Sequence, residues 1–391
     1  MKNKYIYFSG FFILLAISNH LLYNLWLLFD IITKLYVKVS KKLSYKKILL
    51  INKSLVIGGI ETVLLTQYQK FKSEGHLVDI LLFNKNEDYN LEDKSDIFYF
   101  DEFKSIKSFF KQQEKHTKYD VIICHAQSKT ICSKVKSINN MNTVFVLHGI
   151  HSDRLLNKNI ISKFFKKKKI QFLYNNTNIV TVSNTVKKDI ESIGVVAKKI
   201  KTIYNPFDIE KIKKLAKSNK DEILKRPYII WVGRISEIKN LPLLIDIYKF
   251  LSHKYDLVIV GDGPDNIKHK IKEKTNAIDI KNKVHFLGFQ ENPYTYIKDA
   301  AAMIITSKNE GLSMVAIESL ILNTPVFSVN IPVLEEVLSK YYPSGLLLSK
   351  KPQEMAKYII DNINTPINTK KIINELSSEI SNRLYMDFFD K

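Results

Sequence analysis

Residues 302–329 have the sequence AMIITSKNEGLSMVAIESLILNTPVFSV, and this stretch decides the fold of the chain. The short apolar run Met303–Ile305 is bounded by polar residues, which predicts a buried strand. From Ser313 onward, apolar residues recur at helical spacing, and Ser313 itself is a candidate N-cap. Pro325 ends that helix, and Val326–Val329 predicts the next strand. The stretch therefore predicts a strand, a loop, a helix and a second strand.

The loop of this unit has the chemistry of a ligand site. Gly311 would let a ligand approach the backbone closely, and a helix N-terminus offers free N–H groups to an anion. Glu318 lies about two helical turns beyond Glu310, so one ligand at the helix mouth can meet both carboxylates. A diphosphate on the amides, a diol on Glu318 and a sugar under Glu310 would describe a bound nucleotide sugar. Two solvated glutamates at a helix end are the alternative.

The composition is that of an ordinary globular protein except for its charge. At 391 residues, of which 45% are hydrophobic, the chain is long enough for two domains with full cores. Its 60 basic residues exceed its 39 acidic ones by 21, which indicates attraction to phosphate in nucleic acid, anionic lipid or nucleotides. Cys124 and Cys132 have no metal-type spacing, so we expect them to be reduced and structural, with the bulk of the chain in the cytosol.

Residues 1–46 predict a membrane-associated helical segment. Residues 5–29 contain no charged side chain and are long enough to span a bilayer. The polar stretch Ser18–His20 interrupts them, and the residues that follow have the periodicity of a membrane-surface helix. Lysines concentrate between Lys34 and Lys47, which places the rest of the chain on the cytoplasmic face of the membrane. We expect anchored or peripheral attachment through residues 1–40; a spanning, a surface-bound and a soluble helix all stay open.

Strands and helices alternate through residues 47–206, which predicts a first doubly wound domain with a parallel sheet. Gly58-Gly59 follows its first strand and opens a helix; this is the position of a ligand-binding turn, although a plain tight turn has the same pattern. His148 directly follows the buried-type strand Thr143–Leu147. Because ligands bind beyond the carboxyl ends of parallel strands, His148 is a candidate site residue.

A second α/β domain is predicted for residues 227–365, after a polar, lysine-rich linker at residues 207–226. The loop after its first strand contains Arg234 and Lys239, just before a helix. Two cations beyond a strand end suit a diphosphate. A final helix in residues 366–391 is expected to pack back on the first domain.

Lysines also cluster with aromatic residues between His148 and the next strand. Lys163 and Lys166–Lys169 surround Phe164 and Phe165. This pattern is typical of a basic amphipathic helix, which either faces solvent or touches anionic lipid headgroups. The sequence contains no zinc-type spacing, no Walker loop and no nucleic-acid recognition motif.

Seven short motifs, in this order, resemble glycosyltransferase family 4 over residues 47 to 330. They are GGIE at Gly58–Glu61, VSNTVKKDI at Val182–Ile190, NPFD at Asn205–Asp208, VGRISEIKN at Val232–Asn240, VGDGP at Val260–Pro264, FLGF at Phe286–Phe289 and NEGLSMVAIES at Asn309–Ser319. The resemblance implies the α/β GT-B fold, in which two Rossmann-like doubly wound domains face each other across a cleft. It also implies retaining transfer of a sugar from a UDP- or GDP-linked donor, with no metal and no cofactor.

The resemblance further implies roles for the matching residues. Glu310 matches the catalytic carboxylate beneath the donor sugar, and His148 a histidine near the transferred sugar. The donor-binding positions are matched by Arg234, Lys239, Gly311, Leu312, Ser313 and Glu318. Gly58 and Gly59 match the loop that approaches the phosphate and the acceptor.

Two positions depart from the family pattern. Asn323 stands where the family usually has glycine, and asparagine tolerates the left-handed conformation. Residues 330–336 form an atypical loop in place of a glycine-rich turn, and Glu335 or Glu336 matches its acidic residue only loosely. The contacts to the donor sugar in that loop, and the identity of the donor, therefore stay open.

The expected acceptor is a lipid-linked or membrane-bound glycan, because basic charge and the N-terminal segment would hold the first domain against an anionic membrane surface. That favours synthesis of surface polysaccharide or lipopolysaccharide. A sugar-nucleotide epimerase-like GT-B enzyme, and a non-catalytic basic protein that binds membrane or nucleic acid, are the alternatives. We expect no nucleic-acid partner, because the lysines lack an aromatic stacking platform.

Overall fold

The computed structural model describes residues 45–86, 94–115, 117–138, 142–152, 159–218 and 226–389. The chain divides into two compact units, Met1–Lys46 and Lys47–Lys391, and the fold given below is that of the second unit. The predicted membrane segment lies almost wholly outside the described residues. Within the described ranges, no helix is both long and apolar enough to cross a membrane.

Two parallel β-sheets frame the second unit. The first sheet contains β1 (Lys47–Asn52), β2 (Leu77–Leu82), β3 (Ile97–Tyr99), β4 (Val121–Cys124), β5 (Thr143–Leu147), β6 (Asn178–Thr181) and β7 (Lys199–Thr202). The second sheet contains β8 (Tyr228–Val232), β9 (Asp256–Val260), β10 (Val284–Gly288), β11 (Ala302–Ile305), β12 (Val326–Val329) and β13 (Leu346–Leu347). The strand orders are β3-β2-β1-β4-β5-β6-β7 and β10-β9-β8-β11-β12-β13. Both orders are doubly wound, so the prediction of two Rossmann-like domains is confirmed.

Helices connect these strands or follow them. They are α1 (Gly59–Ser73), α2 (Ile106–Gln113), α3 (Lys129–Lys136), α4 (Ile160–Tyr174), α5 (Asn184–Ser192), α6 (Ile209–Leu215), α7 (Leu241–Tyr248), α8 (Asp265–Ala277), α9 (Tyr294–Lys298), α10 (Met314–Ile321), α11 (Pro332–Tyr341), α12 (Pro352–Asn362), α13 (Thr369–Leu376) and α14 (Ser378–Phe389).

The central strands of both sheets are completely buried. Residues Ile48–Ile51 of β1 and Leu257–Ile259 of β9 expose 0% of their surface. Such continuous apolar runs are expected in parallel sheets, because both faces of the sheet are covered. Each strand order reverses beside the first strand of its domain, between β1 and β4 and between β8 and β11. The loops after these strands therefore meet at the carboxyl edge of each sheet, where ligands bind in this architecture.

The predicted linker contains a helix. In α6, the Asp208 carboxylate caps the N-terminus by accepting the Lys211 amide at 3.0 Å. Ile209 and Ile212 are buried at helical spacing. The segment 207–226 is polar and lysine-rich and lacks a strand, which is why the sequence predicts a linker there. Two buried side chains on one face suffice to hold a short helix against the protein.

Residues 330–336 are not an atypical loop, because α11 begins within them. Pro332 occupies the first turn of that helix, where its missing N–H costs nothing. Val333, Leu334 and Val337 then recur at helical spacing and are all buried. Pro332 and this apolar spacing are a helix signal that the sequence itself contains.

The C-terminal helices return to the first domain. Phe207 and Ser377 form an isolated parallel bridge. In the last helix, the Glu379 carboxylate lies 2.9 Å from Lys70 Nζ of α1. Further along, Lys199 Nζ of β7 lies 4.2 Å from the centre of the Phe388 ring. The end of the chain therefore covers part of the first domain.

Candidate functional site

Lys239 and Glu310 form an ion pair at the switch point of the second sheet. Lys239 ends a 3-10 turn just before α7, and Glu310 lies in the loop after β11. Lys239 Nζ is 2.6 Å from Glu310 Oε1, and Ser307 Oγ donates to the same oxygen at 2.8 Å. Their side chains are 24% and 12% exposed. The structure thus brings the predicted clamp lysine and the predicted catalytic carboxylate into direct contact.

Hydrogen bonds to backbone carbonyls hold these two loops together. Thr306 Oγ1 donates to the carbonyl oxygens of Lys239 and Asn240 at 3.0 and 3.1 Å. The Lys308 amide donates to the carbonyl of Ile238 at 2.8 Å. Since the partners belong to loops after β8 and β11, which are neighbours in the sheet, the position of Lys239 is set by backbone geometry.

The loop that carries Arg234 is packed against a glycine turn. Gly261 has a φ of +132°, and a Cβ atom there would lie 1.9 Å from the carbonyl oxygen of Gly233. Only glycine allows this approach of two backbones. Arg234, next to Gly233, is exposed. Its charge acts on Glu61 of α1 in the first domain, where burial raises the pKa of the carboxyl and Arg234 partly opposes that rise.

The residues Gly311, Leu312 and Ser313 lead into α10 as predicted, but Ser313 does not cap it. Ser313 occupies the N-cap position without a side-chain hydrogen bond to the helix. Its Oγ is buried and has no hydrogen-bond partner among the described residues. A buried hydroxyl and free N–H groups at one helix mouth suit an anion that supplies the missing acceptors. Leu312 is buried and its side chain belongs to the core, so it would contribute only its amide.

Gly311 brings the two domains into contact. Ser183 Oγ, at the N-terminus of α5, donates to the Gly311 carbonyl at 2.9 Å. A Cβ atom on Gly311 would lie 1.8 Å from the carbonyl oxygen of His148. No other residue fits here without separating the domains. The structure therefore places His148 beside the Glu310 loop.

His148 pairs with a second histidine. Its Nε2 lies 2.9 Å from Nδ1 of His125, which follows β4. Burial lowers the pKa of His148 to about 3. Burial, and the repulsion that a second proton on the pair would meet from His148, hold the pKa of His125 well below its usual value. Both rings are therefore neutral at physiological pH, and one donates to the other. His125 follows β4 as His148 follows β5, and the pairing of these two strands brings the histidines together.

Glu318 is buried in α10 rather than exposed beside Glu310. Its side chain accepts a hydrogen bond from Tyr294 Oη at 3.2 Å, and the residue is 7% exposed. Burial raises the pKa of Glu318 to about 7, against the opposing effect of Tyr294. Glu318 and Glu310 thus differ in partner and in burial. Tyr294 was missed by the sequence analysis because α9 is too short to show a periodic pattern.

The loop Gly58-Gly59 opens α1 on the opposite side of the cleft. The Gly58 carbonyl accepts the Thr62 amide and the Thr62 hydroxyl, both at 3.0 Å. A Cβ atom on Gly58 would lie 2.6 Å from Glu61 Oε2. Gly59 is exposed, and a Cβ there would meet only Met314 Cγ of α10, at 3.9 Å. The loop therefore faces the mouth of α10, and packing alone does not require glycine at position 59.

Two family profiles match the chain one after the other. Glycosyltransferase Family 4 matches residues 57–211, and Glycosyl transferases group 1 matches residues 212–377. Together the matches include every strand of the two sheets except β1, and every loop described above. The chain belongs to glycosyltransferase family 4. The resemblance inferred from the seven motifs is thereby confirmed.

Individual relatives align with this family 4 glycosyltransferase over only part of their own length. An uncharacterized glycosyltransferase of Methanocaldococcus jannaschii is 30% identical over 253 residues, covering 58% of this chain and 60% of the relative. The N-acetylgalactosamine-N,N'-diacetylbacillosaminyl-diphospho-undecaprenol 4-alpha-N-acetylgalactosaminyltransferase of Campylobacter jejuni is 32% identical over 184 residues, covering 47% of each chain. The chain thus spans between 47% and 60% of the length of these relatives.

The fold of the family 4 glycosyltransferase is that of solved GT-B proteins. The structure of HepE of Anabaena in complex with UDP and glucose superposes with a TM-score of 0.70 at 18% identity, covering 88% of this chain and 100% of HepE. At this identity the likeness concerns the fold. The predicted GT-B architecture of two facing domains is confirmed.

Glu336 joins the two domains of the family 4 glycosyltransferase. From α11, its carboxylate accepts the amides of Asn184 and Thr185 and the hydroxyl of Thr185, each at 2.8 Å. It also accepts Tyr204 Oη at 2.5 Å. Burial alone would raise the pKa of Glu336, but these hydrogen bonds outweigh it and hold the pKa below its usual value. We call Glu336 with Asn184, Thr185 and Tyr204 the interdomain contact.

Glu335 and Glu336, the two loose matches to the family's acidic residue, have different surroundings. Glu335 is exposed, whereas Glu336 binds the N-terminus of α5. Contacts of this segment with the donor sugar stay open. Within the part of the chain that the structure describes, no three histidine, cysteine, aspartate or glutamate side chains come together as a metal site.

Proposed function

We propose that this protein transfers a sugar, with retention of anomeric configuration, from a nucleotide-sugar donor to a lipid-linked or membrane-bound glycan. The observation that supports it most is the mouth of α10. The Lys239–Glu310 pair and the unpartnered hydroxyl of Ser313 lie in one loop system there. A cation, a helix N-terminus and a carboxylate in one place suit a sugar diphosphate.

The donor's diphosphate binds Arg234, Lys239 and the amides of Gly311 to Ser313 in this proposal. As the bond between the anomeric carbon and the diphosphate oxygen breaks, negative charge grows on the diphosphate and positive charge grows on the sugar ring. The fixed cations and N–H groups stabilise the first charge. The Glu310 carboxylate stabilises the second from beneath the ring. The two cations and the helix N-terminus would stabilise the leaving diphosphate, as a metal ion does in other enzymes.

The acceptor hydroxyl attacks the face that the diphosphate leaves, and its proton passes to a departing phosphate oxygen. A glycosidase-type mechanism needs two carboxylates flanking the scissile bond. Here Glu318 is buried against Tyr294, which leaves Glu310 as the carboxylate at the helix mouth. This asymmetry supports attack on the same face. Glu318 instead serves as the ligand of the ribose diol.

The nature of donor and acceptor is supported by relatives. HepE was solved with UDP and glucose, which favours a UDP-linked sugar over a GDP-linked one. The name of the Campylobacter relative includes a diphospho-undecaprenol acceptor. A lipid-linked acceptor and the charge of +21 support action at the cytoplasmic face of a membrane, with attachment through residues 1–40 and contact with anionic lipid. Synthesis of surface polysaccharide or lipopolysaccharide is the process this fits.

Thermal stabilisation by a panel of UDP- and GDP-linked sugars tests the donor. A donor at about 100 times its Kd stabilises the folded protein by about 2.7 kcal/mol, which raises the melting temperature measurably. The stabilising donor is then incubated with undecaprenyl-diphosphate-linked sugar, and the anomeric configuration of the product is read by NMR. We expect one donor class to stabilise and the product to keep the donor's configuration.

Glu310→Gln is the matched variant for this experiment. It should retain stabilisation by the donor and lose transfer, while the exposed Glu237→Gln, in the neighbouring loop, keeps both. Absence of stabilisation by every nucleotide sugar would contradict the proposal. Recovery of an epimerised free donor would instead support the epimerase-like alternative.

A further inference from the structure

Helix α4 exposes an unusual amount of apolar surface. The exposed fractions are 85% for Ile160, 68% for Ile161, 55% for Phe164, 66% for Phe165 and 66% for Phe172. At about 100° per residue, these five side chains fall within an arc of about 140° on the helix. We call these five residues the docking face.

The opposite side of the same helix is already used by the protein. Ile170, Leu173 and Tyr174 are buried in the core. Helix α4 therefore has two apolar faces, and packing within the chain accounts for one of them. A contiguous exposed apolar patch with a polar rim is the mark of an interaction surface.

The rim of the docking face is basic. The helix sequence IISKFFKKKKIQFLY contains five lysines and no acidic residue. On the helical wheel, Lys167 and Lys169 lie within about 40° of the two edges of the docking face. Lys168 falls inside the arc of the docking face, at about 80° on the wheel, and its Nζ lies 5.6 Å from the centre of the Phe164 ring. Long lysine stems beside aromatic rings can keep their charges at a polar boundary while the rings enter an apolar phase.

We propose that α4 docks on the surface of a bilayer that contains anionic lipid, with the docking face among the acyl-chain boundary and the lysines among the headgroups. An apolar stripe edged by lysines is the pattern of an interfacial helix. A second copy of α4 is a poor partner because Lys167, Lys168 and Lys169 would face the same three lysines of that copy. A nucleic-acid partner is disfavoured because Ile160 and Ile161 offer no stacking surface for bases.

This contact would orient the first domain on the membrane. The chain enters α4 after the loop that follows β5, and that loop begins at His148 in the candidate site. A bilayer held by α4 would therefore lie against the domain that receives the acceptor. The docking itself follows from α4 alone, but its use in delivering a lipid-linked acceptor rests on the proposed function.

A fluorescent label on the docking face tests the proposal in the full chain. Phe165→Cys is labelled with an environment-sensitive dye; Cys124 and Cys132 are 0% exposed and do not compete in the folded protein. Leu348→Cys, at a site 74% exposed in the second domain, is the matched control. With phosphatidylcholine vesicles that contain phosphatidylglycerol, we expect a blue shift and protection from an aqueous quencher at position 165 and neither at position 348. Attachment through the N-terminal segment alone would bind the protein to the vesicles without moving the label at position 165 out of water.

A charge variant tests the role of the lysines. Lys167→Glu with Lys169→Glu, in the protein labelled at position 165, should raise the lipid concentration needed to insert half of the label by about 20-fold or more, since each lysine near an anionic surface contributes several-fold. Lys270→Glu with Lys272→Glu, on exposed positions of α8, makes the same change in net charge and should shift that concentration little.

Three results would overturn the proposal. The first is a label at position 165 that stays in water although the vesicles bind the protein, or vesicles that do not bind it at all. The second is equal insertion into pure phosphatidylcholine. The third is protection that rises with protein concentration in the absence of vesicles, which would indicate a protein interface. None of these readouts uses sugar transfer, so the docking and the proposed activity can fail independently.

Discussion

Lys239 Nζ lies 2.6 Å from Glu310 Oε1, so the cation expected to hold the leaving group and the carboxylate expected beneath the sugar neutralise each other. A diphosphate that binds Lys239 must compete with Glu310 for the ammonium group. The pair thus keeps two oppositely charged side chains in position at the mouth of α10. Ser307 supports Glu310 from the other side, at 2.8 Å.

Lys239→Ala should lower kcat/KM for transfer by about 100-fold or more, because one fixed donor to the developing charge is lost. The substitution also removes one of the two contacts of Glu310 Oε1 and leaves the hydrogen bond from Ser307. We therefore expect a modest fall in melting temperature. Steady-state kinetics and thermal unfolding measure the two effects. Lys308→Ala, an exposed lysine of the β11–α10 loop, is the control and should change neither. Full activity in Lys239→Ala would remove Lys239 from the site.

Glu318→Gln should stabilise the protein at alkaline pH and weaken donor binding. Burial raises the pKa of Glu318 to about 7 from an ordinary value of 4.5. The folded state therefore holds its proton more tightly than the unfolded state, and stability falls as pH rises from 4.5 to about 7. At pH 8 the cost amounts to at most about 3 kcal/mol, which glutamine does not incur.

Denaturant unfolding of wild type and Glu318→Gln across pH checks this sign. The two curves should converge near pH 4 and separate above it, with the variant more stable. Isothermal titration with the donor should show about tenfold weaker binding, the loss expected for about one hydrogen bond to a charged group. A variant that is less stable than wild type at pH 8 would show that Glu318 is held ionised by a partner.

Glu336→Ala should open the interdomain contact. Removing the carboxylate leaves the amides of Asn184 and Thr185 without their acceptor, at a cost of about 2 kcal/mol for hydrogen bonds to a charged group. Because the closed arrangement brings Gly311 against His148, KM for the donor should rise more than kcat falls. Glu335→Ala, the exposed neighbour, is the control for melting temperature and kinetics.

The effect of Glu336 depends on pH in a defined direction. The pKa of Glu336 is lower in the folded protein than in the unfolded chain. Its stabilisation is therefore complete above the ordinary glutamate pKa and is lost as pH falls through the lowered value. The difference in unfolding free energy between wild type and Glu336→Ala should shrink below about pH 4. A difference independent of pH would mean that the carboxylate charge is not what binds α5.

His125→Phe should disturb His148 without touching a substrate. Phenylalanine fills similar volume but removes the 2.9 Å partner of His148 Nε2. We expect transfer to fall about tenfold and the pKa of His148, followed by NMR, to change, since its orientation and hydrogen bond are lost. His125→Asn, which retains a polar partner, should recover part of the activity. His253→Phe, in a loop of the second domain that lies outside the site, is the control.

Several helices could have been predicted from signals already in the chain. In α11, Pro332 and the helical spacing of the buried residues Val333, Leu334 and Val337 mark the start of a helix, whereas the family pattern predicts a glycine-rich turn there. In α6, Asp208 is an ordinary N-cap before two apolar residues. Helix caps and apolar periodicity involve only neighbouring residues, so both helices can be predicted from the sequence.

The sequence by itself determined the two doubly wound domains and the loops that carry Arg234, Lys239 and Glu310. These depend on apolar runs, glycine turns and strand ends, which are properties of a few consecutive residues. Only the tertiary structure decided which loops touch. Ser183 meets Gly311 from 128 residues away, and Thr185 meets Glu336 from 151 residues away. Such contacts arise when two separately folded sheets are packed together, and so does the choice of which face of α4 is buried; no local pattern encodes either.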